Sequence, residues 1–298
     1  MEIGRLLTAM VTPFDREGQL DYAQAQRLAS ALLDSGSDGL VVGGTTGEAP
    51  TLSHDEKLRL FAAVKEAVGG RGAVLAGTGT NDTAASIQLS QEAERAGVDG
   101  LLLTAPYYNK PTQEGLYRHF EAIARATRLP CVLYNIPSRT GVNMTADTTL
   151  RLSRVPNIVG VKEASGDLAQ IAAIIDDAGE EFRVWSGDDA MTLPVLALGG
   201  YGVIAVVSHL TGAQVHRMID DYLAGRTAEA ARAHRRLLPL MQVLMTAASN
   251  PSPVKYALNQ IGFSVGAPRL PLVEPEGEAA ERIMAEVRRH HVDLAVTV

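Results

Sequence analysis

Ile158-Val159-Gly160-Val161-Lys162-Glu163-Ala164 is a short apolar run closed by a lysine. A run that is apolar at consecutive rather than alternate positions suits a parallel strand buried on both faces. Seven more runs of this kind recur at fairly regular intervals, over residues 6–11, 39–42, 73–76, 100–103, 131–134, 183–185 and 203–207. Helical spacing fills the gaps over 21–34, 53–68, 82–96, 114–127 and 168–177, and Ser53 with Glu56 makes a capping box at the start of the second. Strands alternating with helices imply a closed (β/α)8 TIM barrel. The rival, a doubly wound sheet, normally carries a glycine fingerprint after its first strand. Thr12-Pro13 stands there instead, and Gly77-Thr78-Gly79 is only a fragment of one.

Beyond the eighth run the pattern turns helical over 209–223, 228–248 and 253–261, then gives a Gly- and Pro-rich loop over 262–277 and a last helix near 278–290. The expected organisation is a catalytic barrel over 1–225 and a C-terminal helical extension over 226–298. The extension is expected to pack on the barrel or in an oligomer contact, without chemistry of its own.

The composition is that of a soluble chain with a large core: 298 residues, 46% hydrophobic and 20% charged. The net charge is −7 and the basic residues are scattered, which argues against a nucleic acid partner. Cys131 is the single cysteine, and the seven histidines show no metal-ligand spacing, so neither a disulfide nor a bound metal is expected, and no cofactor. The N-terminus lacks the basic and apolar regions of a signal peptide and no run is long enough to span a membrane, so a cytoplasmic location is expected.

Active sites of such barrels lie at the C-terminal ends of the strands. There the chain places Gly44-Thr45-Thr46-Gly47-Glu48, Pro106-Tyr107-Tyr108-Asn109, Tyr134 through Gly141, Lys162-Glu163-Ala164 and Ser186-Gly187-Asp188-Asp189. Lys162, aimed into the barrel mouth, would be partly desolvated, and a neutral amine can attack a ketone to form an imine. The alternative is a strand-end lysine paired with Glu163 or left in solvent, although adjacent strand residues face opposite sides. The Thr45-Thr46 turn offers hydroxyls and backbone N–H groups to a carboxylate, or is a plain tight turn. Tyr134 can relay protons or simply fill the mouth. Arg139 can hold a second carboxylate or make a surface ion pair.

Together these motifs resemble the dihydrodipicolinate synthase family of the N-acetylneuraminate lyase superfamily. The likeness runs from Val11-Thr12-Pro13-Phe14 to Pro253-Val254-Lys255. The arginine of Arg139-Thr140-Gly141 separates it from the sialic acid lyases. The resemblance implies that Lys162 condenses with pyruvate, that Thr45 and Thr46 hold its carboxylate, and that Gly187 and the Ile204 carbonyl line the same site. It implies that Arg139 binds the carboxylate of L-aspartate 4-semialdehyde. It further implies a proton relay of Thr46, Tyr134 and Tyr108, with Tyr108 reaching in from a neighbouring subunit of a homotetramer built as a dimer of dimers. His54, Asn81 and Tyr107 match a lysine effector site. Lys57 stands where inhibited members have histidine, and Ala85 where they have a glutamate, so lysine feedback is expected to be weak or absent. Two rivals remain at this point: another pyruvate-dependent aldolase, and a non-catalytic barrel that binds keto acids. A phosphate-handling barrel is disfavoured because Gly199-Gly200-Tyr201-Gly202 precedes the eighth strand.

Overall fold

The computed structural model describes residues 3–296; residues 1, 2, 297 and 298, the outer ends of the two expected segments, lie outside the described residues. In chain order the elements are β1 (Leu6–Ala9), α1 (Tyr22–Asp34), β2 (Gly39–Val42), α2 (His54–Val68), β3 (Ala73–Gly77), α3 (Thr83–Arg95), β4 (Gly100–Thr104), α4 (Gln113–Arg125), β5 (Cys131–Asn135), α5 (Pro137–Thr140), α6 (Ala146–Leu152), β6 (Ile158–Glu163), α7 (Leu168–Asp177), β7 (Arg183–Ser186), α8 (Thr192–Ala197), β8 (Gly202–Ala205) and α9 (Ser208–Leu223). Then come α10 (Thr227–Thr246), α11 (Ser252–Gln260) and α12 (Gly277–Val287). The strands are parallel and close in sequence order, β8 pairing with β1. This is the expected barrel.

Continuous apolar runs suit this arrangement because both faces of every strand are covered. Side chains alternate between two cores. Leu7, Val41, Leu75, Leu102, Val132, Trp185 and Ile204 fill the barrel interior. Leu6, Leu40, Leu101, Leu133, Val161 and Val203 face the helices.

Two strands stop short of their apolar runs, for a polar reason in each case. The N–H of Val11 donates to buried His209 Nε2 at 3.1 Å, which ends the ladder of β1. Those of Val206 and Val207 donate to the Asp189 carboxylate at 2.7–3.1 Å, which ends β8. The Ser53–Glu56 capping box forms as expected. Helices α5, α6 and α8 had no counterpart in the periodicity. They span four, seven and six residues, too short to show a helical period.

The extension is fused to the barrel. Its α10 packs along α9 and against a 3-10 turn at Asp189–Met191. Leu237, Leu240, Leu244, Val254, Leu258 and Ile283 share one core with the outer barrel layer. Among the described residues, no helix is long and apolar enough to cross a membrane.

Candidate active site

Strand register decides where Lys162 points. It pairs with Tyr134 of β5 on one side and Trp185 of β7 on the other, both members of the interior core. Its neighbour Val161 faces the helices. Lys162 therefore points inward, 5% exposed, with Nζ 4.4 Å from the centroid of the Tyr134 ring. Burial pulls its pKa from 10.5 down to about 8; the charge of Asp189 opposes that shift and the charge of Arg139 adds to it. Glu163 is not its partner. It faces the other way and accepts hydrogen bonds from Asn135 Nδ2 at 3.0 and 3.1 Å.

Tyr134 is buried, and burial raises its phenol above the ordinary value; Arg139 and a hydrogen bond to the Thr45 side chain act the other way. The sequence expectation gives the place beside this phenol to Thr46. Thr45, rather than Thr46, is the turn hydroxyl that acts on the Tyr134 phenol. Thr46 turns away and accepts a hydrogen bond from Asn250 Nδ2 at 3.0 Å, in the extension. Consecutive residues of a turn present their side chains in different directions, and sequence order alone does not say which one faces the mouth.

A cavity of about 230 Å³ has a lining that includes Thr45, Lys57, Thr80, Tyr107, Arg139 and Thr140. Lys162 and Tyr134 are not in the lining; Thr45 and Arg139, which act on their pKa values, are. Arg139 sits on α5, is exposed, and makes no ion pair among the described residues. Gly43, at φ +65°, gives the turn after β2 a backbone that side-chain-bearing residues rarely adopt. Gly187 leaves room for the lysine stem, since a Cβ there would lie 2.7 Å from Ala164 Cβ and 3.2 Å from Lys162 Cγ. Ile204 lies buried in the interior core, on β8.

Tyr108 is placed differently from the other site residues. Its φ is +74° and it is 87% exposed, so within one chain it is not joined to the Tyr134–Thr45 pair. Of the effector-pattern residues, Tyr107 shares the cavity with Lys57; burial raises its phenol and the Asn81 backbone acts the other way. His54 pairs with Glu92. Lys57 is half-buried with its pKa lowered by desolvation alone, and Ala85 is exposed on α3.

Three polar residues at the site were not singled out from the sequence. Asp189 is 3% exposed, its pKa raised to about 6 by burial, and its charge acts on Lys162. Its place in Ser186-Gly187-Asp188-Asp189 at a strand end was the available signal. Asn135, beside Tyr134, had a similar signal. Asn250 had none, lying more than 200 positions from its partner (|i−j| = 204).

A model of the Dihydrodipicolinate synthetase family matches residues 2–290. The chain is 57% identical over 295 residues to the 4-hydroxy-tetrahydrodipicolinate synthase of Dehalococcoides mccartyi, covering 99% of each chain. It is 60% identical over 287 residues to that of Symbiobacterium thermophilum, covering 95% of this chain and 97% of the relative. The structure of a DHDPS from Cyanidioschyzon merolae with lysine bound superposes with a TM-score of 0.95 at 45% identity, covering 96% of this chain and 98% of the other.

Proposed function

The chain belongs to the dihydrodipicolinate synthetase family and is a lyase with 4-hydroxy-tetrahydrodipicolinate synthase activity, in lysine and diaminopimelate biosynthesis, and from that premise we propose that Lys162 performs the reaction as a covalent imine. The single observation behind this reading is the buried amine of Lys162, held over Tyr134 with its pKa lowered to about 8.

In this reading the neutral amine attacks the C2 carbonyl carbon of pyruvate. The carbinolamine loses water and leaves an imine. Loss of a C3 proton gives the enamine, whose C3 forms a bond to the aldehyde carbon of L-aspartate 4-semialdehyde, and the aldehyde oxygen takes up a proton. The amine of that substrate then adds to C2 and expels the lysine amine, closing the ring. Tyr134 and Thr45 move the protons, which transfers to Thr45 the relay part first read for Thr46. Thr46 and Thr45 supply the turn that receives the pyruvate carboxylate. Gly187 and the Ile204 carbonyl border the pyruvate, and Arg139, free of any ion pair among the described residues, receives the carboxylate of the second substrate.

Tyr108 completes the relay from a neighbouring subunit of a homotetramer, a dimer of dimers. An exposed aromatic held at positive φ is a costly arrangement that a subunit contact would repay. His54, Asn81 and Tyr107 keep the pattern of a lysine effector site, which Ala85 and Lys57 leave without its carboxylate. Residues 1–225 carry the catalysis and 226–298 brace it. The same reading places the protein in the cytoplasm.

Borohydride reduction with pyruvate, followed by peptide mass mapping, tests the proposal. A pyruvyl adduct is expected on Lys162. Its rate of formation should climb with pH and level off above about 8, because the protonated amine below that value is not a nucleophile. An adduct on another lysine, or full turnover by Lys162→Ala, would refute it.

A further inference from the structure

We propose that Glu163 is the positioning residue of this site, its outward-facing carboxylate setting the orientation of Lys162, Tyr134 and the Arg139 turn together. The inference rests on the reading of Lys162 as the imine-forming residue.

One residue beyond the inward row Tyr134–Lys162–Trp185 lies an outward row, Asn135–Glu163–Ser186, in the same strand register. Outward positions lower on these strands are apolar, such as Leu133, Val161 and Val184. A buried carboxylate at such a place is costly unless it is fully hydrogen-bonded. Glu163 is 1% exposed, and its hydrogen-bond partners are all donors. Asn135 Nδ2 donates to both of its oxygens, the Ser165 N–H donates to Oε1 at 2.7 Å, and Gln170 Nε2 donates to Oε2 at 3.2 Å. Burial raises the carboxyl pKa, and these hydrogen bonds pull it the other way.

The donors belong to the elements that carry the site. Asn135 follows Tyr134, and its Oδ1 accepts from the Met144 N–H at 3.0 Å while Nδ2 donates to Asn143 Oδ1 at 2.8 Å. Asn143 Nδ2 donates in turn to Gln170 Oε1 on α7 at 2.8 Å. Residues 143 and 144 come directly after the α5 turn that holds Arg139. On the main chain, the Glu163 carbonyl accepts from the Gly187 N–H at 2.7 Å. One carboxylate thus clamps the ends of β5, β6 and α7 and the segment leaving α5. An error of about 1 Å in a reacting group can cost on the order of a hundredfold in rate.

The polarity makes a sharp test possible. A glutamine at 163 keeps the shape but turns an N–H2 toward a donor. The experiment measures the rate at which borohydride-trappable pyruvyl adduct forms on Lys162 at saturating pyruvate, as a function of pH. We expect E163Q to fold and to slow adduct formation by about a hundredfold, the cost of a misplacement of about 1 Å. Its pH midpoint should stay where it is, because Glu163 is not among the charges acting on Lys162. Mere loosening of the barrel would rehydrate the lysine and move that midpoint upward. The swap variant N135D/E163Q puts an acceptor opposite the new amide and should regain most of the rate.

A folded E163Q that traps pyruvate at the unmodified rate, or a folded swap variant as slow as E163Q, overturns the inference. So does an upward shift of the midpoint. Should E163Q not fold, Gln170→Met at a half-buried position decides: a slower rate supports the clamp and an unchanged rate overturns it. If the unmodified protein gives no Lys162 adduct, the imine reading falls and takes this inference with it. A normal adduct whose rate is indifferent to residue 163 removes the clamp alone.

Discussion

At neutral pH an amine with a pKa of 10.5 is uncharged in roughly one molecule in three thousand, and one with a pKa of about 8 in roughly one in ten. In the proposed mechanism, burial of Lys162 therefore supplies most of its nucleophilicity before any base acts. In the same proposed mechanism the two threonines of the turn after β2 divide the remaining work. Thr45 acts on the Tyr134 phenol, and Thr46 accepts from Asn250, whose buried Oδ1 has no partner among the described residues. Thr45→Val should lower kcat by about a hundredfold, the low end of what a positioned proton-transfer group contributes. Thr46→Val should instead raise KM for pyruvate and cost about 1–3 kcal/mol of stability, since it removes the one partner the Asn250 side chain has among the described residues. Steady-state kinetics and denaturant melts on both variants check this. Equal losses of kcat would show that the division of roles is wrong.

Among the elements, α11 and the turn after β2 are coupled most directly. Lys255 of α11 is completely buried and donates to Glu48 Oε1 at 2.8 Å, to the Thr12 carbonyl at 3.0 Å and to the Ala267 carbonyl at 3.1 Å. Glu48 Oε2 accepts from the Arg269 N–H at 2.8 Å. Glu48 itself has φ +57°, a strained conformation for a residue with a side chain, directly after the threonine turn. Such a pair contributes little net stability against an apolar replacement, but removing one partner strands the other charge. Lys255→Met should cost about 3–5 kcal/mol in denaturant unfolding, and E48Q/K255M should recover most of it. A single variant as stable as the parent would mean the pair does not hold the turn. The sequence motif Pro253-Val254-Lys255 was visible from the start, but its partner lies more than 200 residues away (|i−j| = 207).

At the scale of the whole molecule, the effector pattern reaches the cavity itself. Tyr107 and Lys57 line the same cavity as Thr45 and Arg139, so a ligand bound among them would be felt at the turn. A lysine effector needs a carboxylate for its ammonium. Ala85 supplies none, and Lys57 adds a like charge on the cavity wall. Loss of a charge-assisted hydrogen bond costs about 1.5–3 kcal/mol, which is roughly ten- to a hundredfold in affinity. L-lysine should therefore leave turnover nearly unchanged, and isothermal calorimetry should show no tight binding. Inhibition in the low-micromolar range would contradict this.

Length, order and spacing of the apolar runs determined the barrel, because buried parallel strands need continuous apolar stretches and helices between them. Chemical type likewise marked Lys162, Tyr134 and Arg139 as strand-end or mouth residues. What tertiary structure alone decided is direction and partnership. The register of β5, β6 and β7 turned Lys162 inward and Glu163 outward. In the turn after β2, Thr45 acts on the Tyr134 phenol while Thr46 is taken up by Asn250. The extension brought Asn250 and Lys255 to that turn. The physical reason is that a local pattern encodes which face of an element is apolar, whereas a buried polar contact depends on which distant atom the packed fold delivers within about 3 Å of it.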